Sequence, residues 1–584
     1  MSNSTTPPVA KRSRLGALSL AIIGFGLIGG CGGNDSDDSV LPPTSPTPVT
    51  PLAIQTCEGL QGMRIPAGNI GLPTGGATVE SATKAAAVAP FADAEGEHLL
   101  TTPERCLVLG SIASVDAAAP AIKFAINLPL SNWNRRALQS GGGGLGGAVI
   151  TAPGQKASGR FDPMPVDAPY PITLGYVTFG SDGGHSSTDF VFTKSDEAMR
   201  NWASEHLKKT RDVAVEVIKA AYKEAPQKMF FSGESAGARE ALVMAQKYPS
   251  DYDGIIATSP VIQWNGIHLF DNRLRDRLMA GFLTPADIKL VADRTRASCD
   301  MADGVADGVI AKYMACTNDV AALRCADGNT GTGCLSDAQI ASVNALREPA
   351  DLGVTLANNI SRFPGYSVTG DEDGTGFQWL FYPIGTVAPS MSLPPGRGFE
   401  AGRGAILNFA AFWVRHAIVQ NESFNPYAFN PAPYAARLQY LSGLFDATNP
   451  DLSAFSARGG RLIVVHPSAD NAAPLTMSGQ YYRSVVAKMG QEATDRTMRL
   501  YVGPGGSHNV GGVTQVDALT LLEKWVLQGQ TPPDAPVAFF KSVTDASLIR
   551  SMPACRYPAY AQYVSGDNKV AASYTCTARA DPLN

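Results

Sequence analysis

Nine cysteines occur in the chain, yet no Cys-x-x-Cys pair does, which removes the usual spacing of a structural zinc site. Charge is sparse as well. Lys, Arg, Asp and Glu make up 17% of the residues and the formal net charge is -5, so there is no basic footprint for nucleic acid. Histidine is rarer still: His98, His185, His206, His268, His416, His466 and His508 are all seven, and imidazole chemistry must draw on these. The glycine run Gly141-Gly142-Gly143-Gly144 lacks the dinucleotide and P-loop spacings, since no Lys follows and no helical pattern opens after it. The N-terminal apolar run, Leu15 to Ile28, is too short to span a bilayer comfortably.

That run follows Lys11, Arg12 and Arg14 and has the n-region and h-region of a secretory signal. Ile28-Gly29-Gly30-Cys31 resembles a bacterial lipobox, in which Cys31 is lipidated and becomes residue one. The alternative is a plain signal with an incidental Cys31. Small residues before Cys31 and a polar stretch after it favour the lipoprotein, and Gly32 rather than Asp points to the outer membrane of a Gram-negative cell. The expected layout is a signal at 1–30 and a disordered, lipid-anchored tether at 31–56, the lipid being the one membrane contact. Eight cysteines remain, and an even number in an exported chain implies disulfides. Sequence neighbours are the economical pairing: Cys57 with Cys106, Cys299 with Cys316, Cys325 with Cys334, and Cys555 with Cys576.

The centre of the chain is Gly233-Glu234-Ser235-Ala236-Gly237. An apolar run from Met229 to Ser232 feeds it, and Ala241, Leu242, Ala245 and Tyr248 recur after it at helical spacing. Strand, sharp turn and helix are the context in which a G-x-S-x-G turn lifts a Ser hydroxyl clear of a sheet. With 59 glycines, chance is the competing explanation. Strands are predicted at Cys106 to Ser114, Ile122 to Leu128 and Ile172 to Gly180, and an amphipathic helix at Asp196 to Glu224. This alternation predicts an α/β fold with a mainly parallel sheet. It lapses between 259 and 457, a stretch with four cysteines and many aromatics, among them Trp264, Trp379, Phe381, Tyr382, Phe409 and Trp413. A lid inserted into an α/β-hydrolase core, made of 57–258 and 458–584, is the expectation. Its aromatics either line an apolar pocket or form the lid's own core.

A Ser hydroxyl needs a base, and the base needs a carboxylate to fix its tautomer. In α/β-hydrolases these follow in the order Ser, acid, His. Arg461 to Val465 leads to Asp470, and Met498 to Val502 leads to His508, so Ser235, Asp470 and His508 form the expected triad. His466 precedes Asp470 and is expected at most to orient the acid loop. The glycine run upstream can supply one oxyanion N–H or be a surface loop. Between Cys299 and Val309, Asp300, Asp303 and Asp307 alternate with glycines, with carbonyls at Val305 and Val309. Such a loop can wrap Ca2+, although the EF-hand spacing is missing, and a solvated Asp/Gly turn is the even alternative.

Together these residues resemble the tannase and feruloyl esterase family, including its terephthalate-monoester branch. The resemblance is carried by Gly233 through Arg239, Gln246, Pro249, Tyr252-Asp253-Gly254-Ile255, Trp133-Asn134, Gly141 to Gly144, Asp182-Gly183-Gly184-His185, Cys299 to Val309, Asp470 and His508. It implies an α/β-hydrolase with a large lid that cleaves small esters of aromatic or phenolic acids. It further implies Ser235, Asp470 and His508 as triad, the N–H groups of Gly144 and Ala236 as oxyanion hole, and structural Ca2+ at Asp300, Asp303, Val305, Asp307 and Val309, with no organic cofactor. One departure stands out: Glu234 and Asn509 occupy positions where family members carry a bridged cysteine pair, and a hydrogen bond from the Asn509 amide to Glu234 is the expected substitute. Arg397 and Arg403 are read as solvated surface cations, the alternative being a substrate-carboxylate site. The expected function is exported serine carboxylic-ester hydrolysis. Its rivals are an esterase of short aliphatic or polyester fragments and a non-catalytic surface lipoprotein of the same fold.

Overall fold

A computed structural model describes residues 50–578, apart from 94–95, 99, 151–163, 187–190, 317–318, 328–330, 391–401, 509–510 and 543–544. The signal segment, Cys31, Arg397 and Asn509 therefore lie outside the described residues. The C-terminal end of the expected tether is tied down: Leu52 and Ile54 donate backbone hydrogen bonds to Trp133 O and Leu130 O, and Gln55 donates to Ala221 O. Order is thus in place by Leu52, ahead of Cys57, because this segment finds backbone acceptors on the neighbouring chain.

The main sheet takes eleven strands. In chain order they are Arg64–Ile65 (β1), Ala77–Ala85 (β2), Arg105–Ile112 (β3), Ile122–Pro129 (β4), Arg136–Ser140 (β5), Val177–Ser181 (β6), Lys228–Glu234 (β7), Gly254–Thr258 (β8), Arg461–Pro467 (β9), Met498–Gly503 (β10) and Cys555–Arg556 (β11). Their spatial order is β1-β2-β3-β4-β6-β5-β7-β8-β9-β10-β11. The run from β6 to β10 is parallel, with antiparallel strands at both margins. Sequence explains the division. β8 and β9 are nearly continuous apolar runs buried along their length, as strands covered on both faces must be, whereas β2 alternates buried and exposed residues.

β6 is shorter than the sequence predicts. Pro171 to Gly175 instead form a turn, with Thr173 and Leu174 donating to Tyr170 O and Gly175 in the left-handed region. Behind the sheet runs the helix His206–Tyr222 (α1), continued N-terminally by a π turn and a short α-helical turn from Asp196. The nucleophile-side helix is Ala236–Lys247 (α2), its Ala241, Leu242, Val243 and Met244 fully buried. A late helix, Ala518–Gln528, is capped by Asp517, while Val516 before it pairs in a small sheet with Ala538.

Between β8 and β9, neighbours in the sheet, the chain leaves at Thr258 and returns at Arg461. The regular elements described in the intervening stretch are mostly helices, including Trp264–Ala280 (α3), Pro285–Cys299 (α4) and Ala405–Trp413 (α5). Trp264, Trp379 and Trp413 are buried core residues. All four expected disulfides are formed: Cys57–Cys106, Cys299–Cys316, Cys325–Cys334 and Cys555–Cys576. They indicate folding in an oxidising compartment.

Several residues that carried the family resemblance hold this frame. Arg239, buried on α2, lies over the rings of Trp264 and Phe445 and donates to Ala203 O and Phe445 O. Gln246 donates to Ala447 O, Tyr252 to Gln139 Oε1, and Met229 N to the Asp253 carboxylate. Helix α2 is thereby pinned to the returning end of the insertion, and the segment that follows it to the sheet.

Candidate active site

Ser235 sits at the carboxyl end of central strand β7 with φ 59° and ψ -119°, a conformation that costs an L-residue energy and persists where its surroundings enforce it. The enforcement is visible. A Cβ on Gly233 would stand 2.1 Å from Gly237 O, and one on Gly237 would meet Gly141 C at 2.9 Å. Both flanking positions therefore require glycine, and the turn packs directly beneath the Gly141–Gly144 run. Ser235 N donates to Thr258 O, and its carbonyl opens α2 by accepting from Ala238 N and Arg239 N.

His508 reaches the turn from the loop after β10. Its Nε2 lies 2.8 Å from Ser235 Oγ and its Nδ1 2.9 Å from Asp470 Oδ2. Asp470, in the loop after β9, is fully buried, and its Oδ1 accepts from Ala472 N and Ala473 N at 2.8 Å each. Burial opposes ionisation of this carboxyl, but the charge of His508 and hydrogen bonds from His466 and His508 hold it below the usual carboxylate range. His508 shifts the opposite way. Burial disfavours its cation, yet Asp470 and, more weakly, Glu234 raise it above the ordinary histidine value.

The supporting shell is equally specific. His466 stands 3.5 Å from Asp470 Oδ2, while its ring nitrogens also meet Ser478 Oγ and Ala473 O at 2.8 and 2.7 Å. It thus braces the acid loop without contacting Ser235. Ser468 N donates to Gly503 O and Gly505 N to Ser468 Oγ, locking the acid loop to the histidine loop. The insertion contributes too: Gln378 donates to Ala469 O and Trp379 to Asn471 Oδ1.

Gly144, in the left-handed region, and Ala236, the first residue of α2, line one cavity of about 20 Å³ that mixes polar groups of His185, His206 and Glu240 with the rings of Trp202, Trp264 and Phe445. That is room for a water molecule. Glu240 accepts from Gly142 N at 3.2 Å and approaches His206 Nε2 at 3.3 Å. His185 is buried, and burial first of all pushes it down to about 4, so it is neutral at ordinary pH.

Phe377, which sequence reasoning passed over, packs edge-on against His508 and touches Phe381 and Tyr382. Its only signal was membership of an aromatic-rich stretch. Arg403 differs from expectation: it is buried rather than solvated, donating to Tyr427 Oη and Ser390 Oγ. The neighbouring hydroxyls supply the acceptors that make its burial tolerable. Glu234 places Oε1 3.7 Å from His508 Nε2.

In the acidic loop, Asp303 is buried and its carboxyl is pushed up to about 6, by burial first, with Asp307 and Asp300 adding to the rise against hydrogen bonds from Ala311 N and Val305 N. Asp300 accepts from Gly308 N, and Asp307 accepts from Arg550 and Tyr574 Oη. The donors are all hard oxygens, which suits Ca2+ by type. Among the described residues, no three His, Cys, Asp or Glu side chains converge as a ready-made metal-holding group.

The tannase and feruloyl esterase profile matches residues 106–577. The chain belongs to the tannase and feruloyl esterase family. As a member of it, the protein is a carboxylic ester hydrolase. An uncharacterized esterase of Agrobacterium fabrum is 33% identical over 539 residues, covering 89% of this chain and 92% of its own. The mono(2-hydroxyethyl) terephthalate hydrolase of Piscinibacter sakaiensis is 26% identical over 535 residues, 82% of this chain and 85% of its own. Feruloyl esterase B from Aspergillus oryzae shares the fold, with a TM-score of 0.70 at 22% identity over 89% of this chain and 99% of its own.

Proposed function

We propose that the protein hydrolyses small esters of aromatic or phenolic acids by acyl transfer through Ser235. What supports this is the uninterrupted hydrogen-bonded run from Ser235 Oγ through His508 to Asp470. His508 Nε2 takes the hydroxyl proton as Oγ attacks the ester carbonyl. Asp470 holds the tautomer and stabilises the imidazolium. The N–H groups of Gly144 and Ala236 receive the oxyanion, and His508 then protonates the leaving alcohol. Water repeats the sequence on the acyl-enzyme and releases the acid. The aromatic wall of Phe377, Phe381 and Tyr382 beside His508 favours a planar acyl group, and the similarity to a mono(2-hydroxyethyl) terephthalate hydrolase and to feruloyl esterases supports the same class.

The stretch 259–457 serves as a lid over this site. Asp300, Asp303 and Asp307 with the carbonyls of Val305 and Val309 would hold a structural Ca2+ that cross-links the loop, which reaches the C-terminal region through the contacts of Asp307 with Arg550 and Tyr574. The chain is exported and tethered through lipid on Cys31. Incubation with an uncharged fluorophosphonate followed by peptide mass spectrometry tests the chemistry. The adduct is expected on Ser235, and an unlabelled Ser235 in folded protein would refute the nucleophile assignment.

A further inference from the structure

His508 carries a carboxylate at each ring nitrogen. Asp470 Oδ2 lies 2.9 Å from Nδ1, and Glu234 Oε1 lies 3.7 Å from Nε2. Glu234 ends β7 and is paired in register with Thr258 of β8, so its backbone is fixed by the strand and by the Ser235 turn that follows. Its side chain is 17% exposed, whereas that of Asp470 is completely buried. From the insertion, the ring meets Phe377, backed by Tyr382, whose phenol is kept neutral by burial. From the acid loop, His466 approaches the far side of Asp470.

We propose that Glu234 is a positioning residue for this ester hydrolysis, a second anion that stabilises the His508 imidazolium from the Ser235 side and moves the acid edge of activity to higher pH. The proposal rests on the Ser235–His508–Asp470 reading. When Oγ attacks, its proton passes to Nε2, and the positive charge arises between two carboxylates instead of beside one. When the leaving alkoxide takes that proton, the charge disappears and both carboxylates are left as they began. An anion this close to Nε2 favours the cation in the resting enzyme as well as in the transition state. The gain in stabilising the transition state therefore comes with partial loss of the free base in mildly acidic solution.

The test compares wild type, Glu234→Gln and Glu234→Asp. The pH dependence of inactivation by diisopropyl fluorophosphate is measured first, because it needs no knowledge of the substrate. In Glu234→Gln the acid edge is expected at lower pH, so that the rate at pH 6, as a fraction of its own plateau, rises about threefold while the plateau itself falls about two- to fivefold. Glu234→Asp, which keeps the charge, stays nearer wild type. Titration of the downfield Nδ1–H proton resonance of His508 should move the same way. Superimposable acid edges and titrations in wild type and Glu234→Gln would overturn the proposal. If wild type is not labelled at Ser235, the nucleophile reading fails separately, and the proton titration alone decides whether Glu234 acts on His508.

Discussion

The Phe377 ring meets the His508 imidazole edge to face, with centroids 5.0 Å apart and planes at 65°. The contact joins the inserted stretch to the imidazole that meets Ser235 Oγ, so one side chain packs on His508 and carries Phe381 and Tyr382 behind it. Aromatic pairs of this geometry contribute about 0.5–1.5 kcal/mol beyond buried area. Phe377→Ala should therefore lower kcat/KM for aryl-acyl esters about two- to tenfold and reduce the preference for aryl over short alkyl esters. The ratio of kcat/KM for methyl ferulate and p-nitrophenyl butyrate checks this; an unchanged ratio would remove Phe377 from the acyl pocket.

pH dependence follows from the opposed shifts of His508 and Asp470. His508 acts as a base only when neutral, and its shift is upward, so the acid edge of kcat/KM should lie above the ordinary histidine value of about 6.5. Because its folded value is raised, His508 contributes stability that is fully present below about 6.5 and lost as pH rises through that raised value. Asp470, depressed by its partners, contributes stability present above about 3.9 and lost as pH falls through the depressed value. Asp470→Asn should accordingly flatten the acid side of a thermal-stability profile, which calorimetry from about pH 5 down to about pH 2 measures.

The disulfides should differ in what they contribute. Cys57–Cys106 spans 49 residues and Cys325–Cys334 spans 9. Constraint of the unfolded chain predicts about 4 kcal/mol for the first and about 2.6 kcal/mol for the second. Replacing each pair with Ala and measuring unfolding by guanidinium should rank Cys57–Cys106 as the costlier loss.

Calcium removal should act on stability before it acts on chemistry, since Asp303 lies in the insertion and outside the relay. Ca2+ at a hundredfold excess over its Kd should add about 2.7 kcal/mol of stability. EDTA should lower the Tm and added Ca2+ restore it, while Asp303→Asn abolishes the response. A Tm indifferent to chelation and to Ca2+, read with isothermal titration, would reject the site.

The relay was legible because each member follows a strand: β7 into Ser235, β9 into Asp470 and β10 into His508. Apolar runs and chain order pointed to those three residues, whose side chains the structure places within hydrogen-bond distance of one another, and pairing each cysteine with its sequence neighbour gave the four disulfides. Arg403 was not legible, because its burial depends on Tyr427 and Ser390, which no local pattern associates with it. Phe377 was missed for a similar reason: its role comes from the path the insertion takes back to His508. Glu234 stood out only as a departure from the family pattern, and its distance from Nε2 required the folded loops. The turn at Pro171 to Gly175 shortened a strand that apolar residues alone had extended.

The measurement to make first is steady-state hydrolysis of methyl ferulate, methyl gallate, mono(2-hydroxyethyl) terephthalate and p-nitrophenyl butyrate by wild type and Ser235→Ala. With Ser235 as nucleophile, at least one aromatic-acid ester is turned over faster than the butyrate, and Ser235→Ala lowers that kcat by about 10⁴-fold or more. His508→Ala should fall as far, and the double variant no further. Equal turnover by wild type and Ser235→Ala would contradict a Ser235-based esterase, and a preference for the butyrate would contradict the aromatic-acid substrate class.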